Sequence, residues 1–577
     1  MAVRRCMVAL IALAALSLRA DPKVETKDAL PAFLRHLAAV GAAWGPAPSP
    51  DGTRVGFITT LFGSRQAALL PTQGGYPSQL TDEPGGVLAL RWAPTDPRTI
   101  FVVAMRGGQR RILATDDSGA PAVDIDPAPG DQLFGGFTRD GKRLLYAVRD
   151  GASVALKVYA LESKGVAELS PPLPQAGPLP RPAGAPPAPT PAPLSESLAG
   201  IAALSPPAPD GRTALVQLRR GADETIAAVD LSTTRVEVLT PHEGTARFRG
   251  ARFSPDGRLV YVLTDAGRAA LGVDVVTVAD KKRKALFAPG NEVEAYALSE
   301  DGHRLVAATV SGGETLFVLL ELPSLRQQPL PQPPPGALQA GDPAIVWSRG
   351  GDRIYFAWGQ PEDTVDVFAL RIGYGSAQRL TKSPRPHLPE GSLPRPRTLT
   401  YVSFDGRQVP ALLWMPRPAG ARPDNAPPPR VALFLGGGAA RPVLDARIAA
   451  LSAAGFAVLA PSPRGSEGRG KAHAAEDAAG AVHDVAFAAR HLRSVGEVDA
   501  GSPLLVGAGA GAAQAVAAAL RDPGGWSGLA VQVEGAPADF ENVKLPRLAL
   551  DPSARALGEL AAFARERLSG PGASAAR

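Results

Sequence analysis

At 577 residues the chain exceeds one ordinary domain and, at roughly 150 residues per domain, is expected to hold two or three. Hydrophobic residues at 45% and charged ones at 20% supply enough apolar surface for packed cores and exclude a wholly disordered chain. One Cys and seven His exclude disulfide scaffolds, iron–sulfur centres and zinc ribbons; no His-x-x-x-His or His-Glu-x-x-His pair occurs, so no metal and no other cofactor is expected.

The formal charge of +6 points toward nucleic acid, but three of the positive charges, Arg4, Arg5 and Arg19, sit in the first twenty residues, which carry no acid. That segment reads as a signal peptide: a basic start, an apolar run Met7–Leu18 too short to span a bilayer, and Ala20 before Asp21. Its removal takes the charge from +6 to +3 with no long basic run, which excludes a nucleic-acid partner. Residues 1–20 are therefore expected to direct export to the periplasm or beyond the cell. Cys6 leaves with them, and no integral membrane segment follows. Residues 21–45 form an N-terminal helical segment, with apolar periodicity over 27–43 that is expected to pack on the domain that follows.

Seven polar turns built around Asp then recur, each after a short apolar strand and before an alternating β run. They centre on Asp51, Asp96, Asp140, Asp210, Asp256, Asp301 and Asp352, at spacings of 45, 44, 70, 46, 45 and 51. In most of them Gly adjoins the Asp, the Asp bonding nearby backbone and the Gly supplying a positive φ for a tight hairpin. A second element, Leu80-Thr81, Leu239-Thr240 and Leu380-Thr381, ends an outer strand. A mid-forties period with four short strands per unit predicts a seven-bladed all-β propeller over 46–383. The blades resemble the TolB-like and prolyl-oligopeptidase propellers, whose turns carry the same Ser-Pro-Asp-Gly wording. The spacing of 70 is explained by a Pro-rich insertion at 171–197, in which 11 of the 24 residues from Pro171 to Leu194 are Pro, expected as an extended solvated loop. A second Pro-rich stretch, Pro329 to Pro335, accounts for the spacing of 51, and 384–398 reads as a hinge.

From Leu399 strands alternate with helices. A β-hairpin is followed by strand 430–435, helix 444–454, strand 456–461, helix 474–494, strand 503–507, helix 511–521, strands 528–533 and 545–550, and helix 554–568, a pattern that predicts a parallel, doubly wound sheet. The loop Ser462-Pro463-Arg464-Gly465-Ser466-Glu467-Gly468-Arg469-Gly470 resembles the Asn-Tyr-Arg-Gly-Ser-Xaa-Gly-Tyr-Gly loop of the prolyl oligopeptidase family of serine peptidases, especially its acylaminoacyl-peptidase and dipeptidyl-peptidase branches. Propeller and α/β domain together extend that resemblance over nearly the whole chain after residue 20. It implies a seven-bladed propeller followed by an α/β-hydrolase domain over 399–577. His483 and Asp484, on the helix after the loop, are expected to be a structural pair, because the family places no catalytic group there.

In that family a strand runs into Gly-x-Ser-x-Gly, a sharp turn that lifts the serine above the sheet. The matching stretch here is Gly507-Ala508-Gly509-Ala510-Gly511, with Gly509 where the nucleophile would stand. The family's oxyanion motif, His or Tyr before Gly-Gly, is matched by Leu435-Gly436-Gly437, which offers no side-chain donor. The general base follows the nucleophile in hydrolase chain order, yet the His at 36, 242, 303, 387, 473, 483 and 491 all precede Gly509. The 68 residues after Gly509 read as too few for the family's last strand and histidine loop. Asp551 stands roughly where a remnant of the triad acid would, but reads first as an N-cap of the last helix. Ser466, Ser502 and Ser527 are candidate substitute nucleophiles, but none sits at a strand-to-helix elbow.

The sequence thus points to an exported pseudo-peptidase that binds a peptide or protein ligand in the propeller channel or interdomain cleft. Two alternatives stand beside it: an active serine peptidase or esterase of the same family, and a TolB-like propeller interaction module with a vestigial C-terminal domain.

Overall fold

The structure, a computed structural model, describes residues 29–169, 198, 200–416, 427–550 and 556–568, except 152, 340, 374, 467, 475–477, 534–536 and 538. The expected leader at 1–20, the Pro-rich insertion at 171–197 and Asp551 lie outside the described residues.

Seven antiparallel sheets follow one another in chain order, spanning 43–79, 87–124, 131–168, 201–238, 248–287, 293–329 and 337–379, so the chain folds as the seven-bladed propeller its repeats predict. The repeated turn explains itself at atomic scale. In the first blade the Ser49 hydroxyl donates to Asp51 at 2.5 Å, Asp51 accepts the Thr53 amide, and Ser49 Oγ accepts the Arg54 amide. The same bonds recur around Ser254 and Asp256 and around Ser299 and Asp301, and the glycine beside each Asp has a φ near +70°. The Leu-Thr element is a second device. The Leu80, Leu239 and Leu380 amides donate to Ala67, Ile226 and Val367, and the hydroxyls of Thr81, Thr240 and Thr381 accept the amides of those same three residues.

Among the described residues no strand is exchanged to lock the ring. The seventh blade meets the first through apolar packing, with Val367 buried against Ala43, Phe57, Ala68 and Leu70, and Tyr355 and Ala369 against Val55. The last blade also departs from the four-strand plan: its inner edge is split into Ala337–Leu338 and Ile345–Trp347. The spacing of 51 therefore reflects this interruption as well as the prolines before it.

The C-terminal sheet runs β1 (Pro396–Val402), β2 (Gln408–Trp414), β3 (Arg430–Leu435), β4 (Ala457–Pro461), β5 (Asp499–Ala508), β6 (Gly528–Gln532) and β7 (Arg547–Leu550) in the spatial order β1-β2-β4-β3-β5-β6-β7. β3 to β7 are parallel. The hairpin β1-β2 joins antiparallel to β4, and since two strands linked by a short turn must themselves pair antiparallel, the sheet is mixed rather than wholly parallel. Helices Ala478–Val495 and Gly511–Arg521 cover one face; Ala446–Ala453 and Ala556–Leu568 cover the other.

The N-terminal helix Ala29–Ala38 places Leu30, Phe33, Leu34 and Leu37 on one stripe. That stripe packs on Ile448, Leu451, Leu557 and Leu560 of the C-terminal domain, not on the propeller that follows it in sequence. The chain enters and leaves the propeller side by side, the Gly41 amide donating to the Pro384 carbonyl at 2.8 Å.

Candidate active site

The elbow is formed where β5 runs into helix Gly511–Arg521. Two of its glycines are demanded by crowding. A Cβ on Gly507 would lie 2.7 Å from Ala512 Cα, and one on Gly511 would fall on the Leu435 carbonyl and 2.7 Å from the Gly437 nitrogen. Gly509 differs. Its φ is +51°, the left-handed region that costs other residues about 1–2 kcal/mol, yet a Cβ there would meet nothing within 4 Å. The residue in the nucleophile position is exposed and carries no side chain.

Beside it, Leu435 is buried in the core and presents no donor, while Gly437, at φ +85°, lies so close to the elbow that its Cβ would stand 2.6 Å from Ala510 Cβ. The helix after the elbow begins without a side-chain cap, so its amide end faces the exposed Gly509-Ala510 turn. The loop after β3 then leads to the propeller. The Ala440 amide donates to Ser462 Oγ at 2.9 Å, Arg441 pairs with Glu294 at 2.7 Å and with Thr315, and the Leu444 amide donates to Gln360. Elbow, glycine-rich loop and propeller face are thereby tied together, with the hydrolase domain on the face where the inner strands begin.

The glycine-rich loop is held by a buried ion network. Arg464 donates to Asp484 from its amide at 2.8 Å and from Nε at 2.9 Å, reaches Asp405 at 3.0 and 3.1 Å, and lies 4.7 Å over the Phe404 ring. Burial pushes the Asp484 carboxyl upward, but bonds from Arg464 and Ser403 outweigh it and hold the group below its ordinary value. The hydrogen bond to Asp484 in turn raises Arg464 above the usual guanidinium value. The structure separates the pair at 483 and 484: Asp484 points inward to Arg464, whereas His483 packs on Phe404 at 4.6 Å. The Arg464–Asp405–Asp484 link is not legible in the sequence beyond the Arg of the glycine-rich loop.

Among the described residues no His side chain is hydrogen-bonded to a serine hydroxyl. His473 comes nearest to the loop, but its Nε2 is held by the Ser462 and Pro463 carbonyls at 3.0 and 2.8 Å, and burial lowers its pKa. His242 contacts Asp223 at 3.0 Å inside the propeller, His36 lies tilted against His387, and His491 stacks on Tyr401. The substitute serines are equally apart from a base. Ser466 is buried, Ser502 is exposed before the buried part of β5, and Ser527 is half-buried before β6.

A propeller docked on an α/β-hydrolase sheet with a strand-to-helix elbow is the architecture of the prolyl oligopeptidase type of serine peptidase. Comparison with solved structures gives the same fold. A puromycin-hydrolyzing peptidase of Mycobacterium tuberculosis superposes with TM-score 0.70 at 17% identity, over 92% of this chain and 90% of that one. A serine-to-alanine mutant of puromycin hydrolase complexed with PGG gives TM-score 0.72 at 15% identity, over 93% and 96%. A structure from a study of two prolyl endopeptidases gives 0.68 at 16%, over 92% and 77%. No family model and no curated protein matches the sequence.

Proposed function

We propose that this chain is an exported binding or scaffold protein built on a peptidase fold, taking a peptide or protein ligand in the propeller channel or interdomain cleft. The observation that carries the reading is Gly509: the turn that would display a nucleophile retains its crowded flanking glycines and has no Oγ to attack with. Leu435 in place of a side-chain oxyanion donor, and His473 held by two backbone carbonyls, support it independently. Export rests on the composition of residues 1–20.

The test is activity-based labelling of the full chain with a fluorophosphonate probe, together with hydrolysis assays on puromycin and aminoacyl nitroanilides. Neither labelling nor turnover is expected. Labelling abolished by replacing one serine would overturn the reading in favour of an active serine hydrolase.

A further inference from the structure

At the centre of the propeller a cavity of about 710 Å³, lined by the third to seventh blades, runs from Arg249 and Glu294, at the hydrolase-facing end, past Arg252 and Tyr296 to the turns at Pro255, Glu300 and Arg349. The two ends differ in how their charges are satisfied. At the hydrolase end Arg249 pairs with Glu224 at 2.8 Å and Glu294 pairs with Arg441 at 2.7 Å, so each charge has a fixed partner. At the far end Arg91, Arg139, Arg252 and Arg349 outnumber the two carboxylates that line the same space, Glu300 and Asp342.

Two of these arginines span the far mouth. Arg139 Nη1 donates to the Pro255 carbonyl at 3.0 Å, joining the turns of the third and fifth blades across the fourth. Arg349 Nη1 donates to the Pro94 carbonyl at 3.0 Å, joining the seventh and second blades across the first. Both are exposed, and among the described residues neither has a carboxylate partner. Arg252 reaches Asp342 only at 3.4 Å, and the Asp342 side chain is 76% exposed. Arg91 lies over the Phe134 ring and donates to the Leu90 carbonyl; burial lowers its pKa, opposed by the charge of Asp342 and aided to a smaller extent by that of Arg252.

We infer that the far mouth of the channel recognises a carboxylate-bearing peptide, whose acidic groups replace the Pro255 and Pro94 carbonyls as partners of Arg139 and Arg349. A carboxylate accepts two parallel bonds from a guanidinium, each roughly twice as strong as a bond to a neutral acceptor, so the exchange is favourable. The excess of arginine over carboxylate along the lining also favours ligands of negative charge. The inference rests on the peptide-binding reading above and specifies its ligand.

Fluorescence anisotropy on the full chain tests it with a fluorescein-labelled Gly-Gly-Glu-Glu-Glu-Glu peptide and its Gln and Lys counterparts. The Glu peptide should bind about tenfold or more tightly than the Gln peptide, with an affinity that falls as NaCl rises. The Arg139→Gln/Arg349→Gln double variant should lose about tenfold at an unchanged melting transition, and Glu300→Gln/Asp342→Asn should bind about threefold more tightly. Equal binding of the Glu and Gln peptides, or an affinity indifferent to both pairs of substitutions, overturns the inference while leaving peptide binding intact. No binding by any of the three peptides overturns the peptide-binding reading itself. Displacement by inorganic tripolyphosphate at lower concentration than by unlabelled Glu peptide overturns the assignment to a peptide carboxylate.

Discussion

The amide of Gly509 donates to the carbonyl of Gln532 at 3.0 Å, which pins the residue at the tip of the elbow to the end of the neighbouring strand β6. The turn is thus held by backbone, not by any side chain at its tip. Gly509→Ser is expected to fold, since its Cβ enters open space, and to cost about 1–2 kcal/mol for the left-handed φ. Denaturant unfolding checks the cost. The same variant should stay unlabelled by a fluorophosphonate probe, and labelling would locate a base beside the elbow that the described histidines do not supply.

Gly511, two residues on, should behave in the opposite way. A Cβ there meets the Leu435 carbonyl and the Gly437 nitrogen, and backbone on both sides leaves nothing that can rotate aside. Gly511→Ala is expected to cost about 3 kcal/mol or more by overpacking, well beyond Gly509→Ala at about 1–2 kcal/mol. Parallel melting curves of the two variants rank them; equal losses would mean that the elbow is not held as described.

These two glycines mark what was legible in the sequence and what was not. The Asp-Gly period gave the blade number because each turn is a local device, complete within six residues such as Ser49 to Arg54. The hydrolase elements were legible because helix and strand periods differ along the chain. Partners distant in sequence were not legible. The docking of Ala29–Ala38 on the C-terminal domain joins residues more than 400 apart, and the Arg464 link to Asp405 and Asp484 joins three segments. Nor does composition tell that Arg139 and Arg349 reach across intervening blades, because nothing local to either turn dictates it.

The Arg464–Asp484 pair makes a prediction about pH. Asp484 is fully buried and its folded carboxyl lies below the ordinary 3.8, so its stabilising contribution is complete above that value and is lost as pH falls through the lower folded one. Asp484→Asn leaves the Arg464 charge without its inner partner, and a loss of about 3–5 kcal/mol is expected at neutral pH. Because the titrating group is gone, the difference from the parent should shrink on acidification toward pH 3. Unfolding free energies at pH 7 and pH 3 decide; a constant difference would show that Asp484 does not titrate with folding.

The Leu-Thr element makes the last prediction. Thr240 Oγ1 accepts the Ile226 amide at 2.9 Å in a buried position, supplying the acceptor that a further residue of outer strand would otherwise provide. Thr240→Val keeps the shape but orphans that amide, and the expected cost is about 1–3 kcal/mol. The effect should be local as well as energetic. Hydrogen exchange of the Ile226 amide should accelerate while that of Ala67 and Val367, served by Thr81 and Thr381 in the first and last blades, stays unchanged. Thr240→Ser, which retains the hydroxyl, should restore Ile226 protection. If Val and Ser exchange alike at Ile226, the hydroxyl is not what closes the blade.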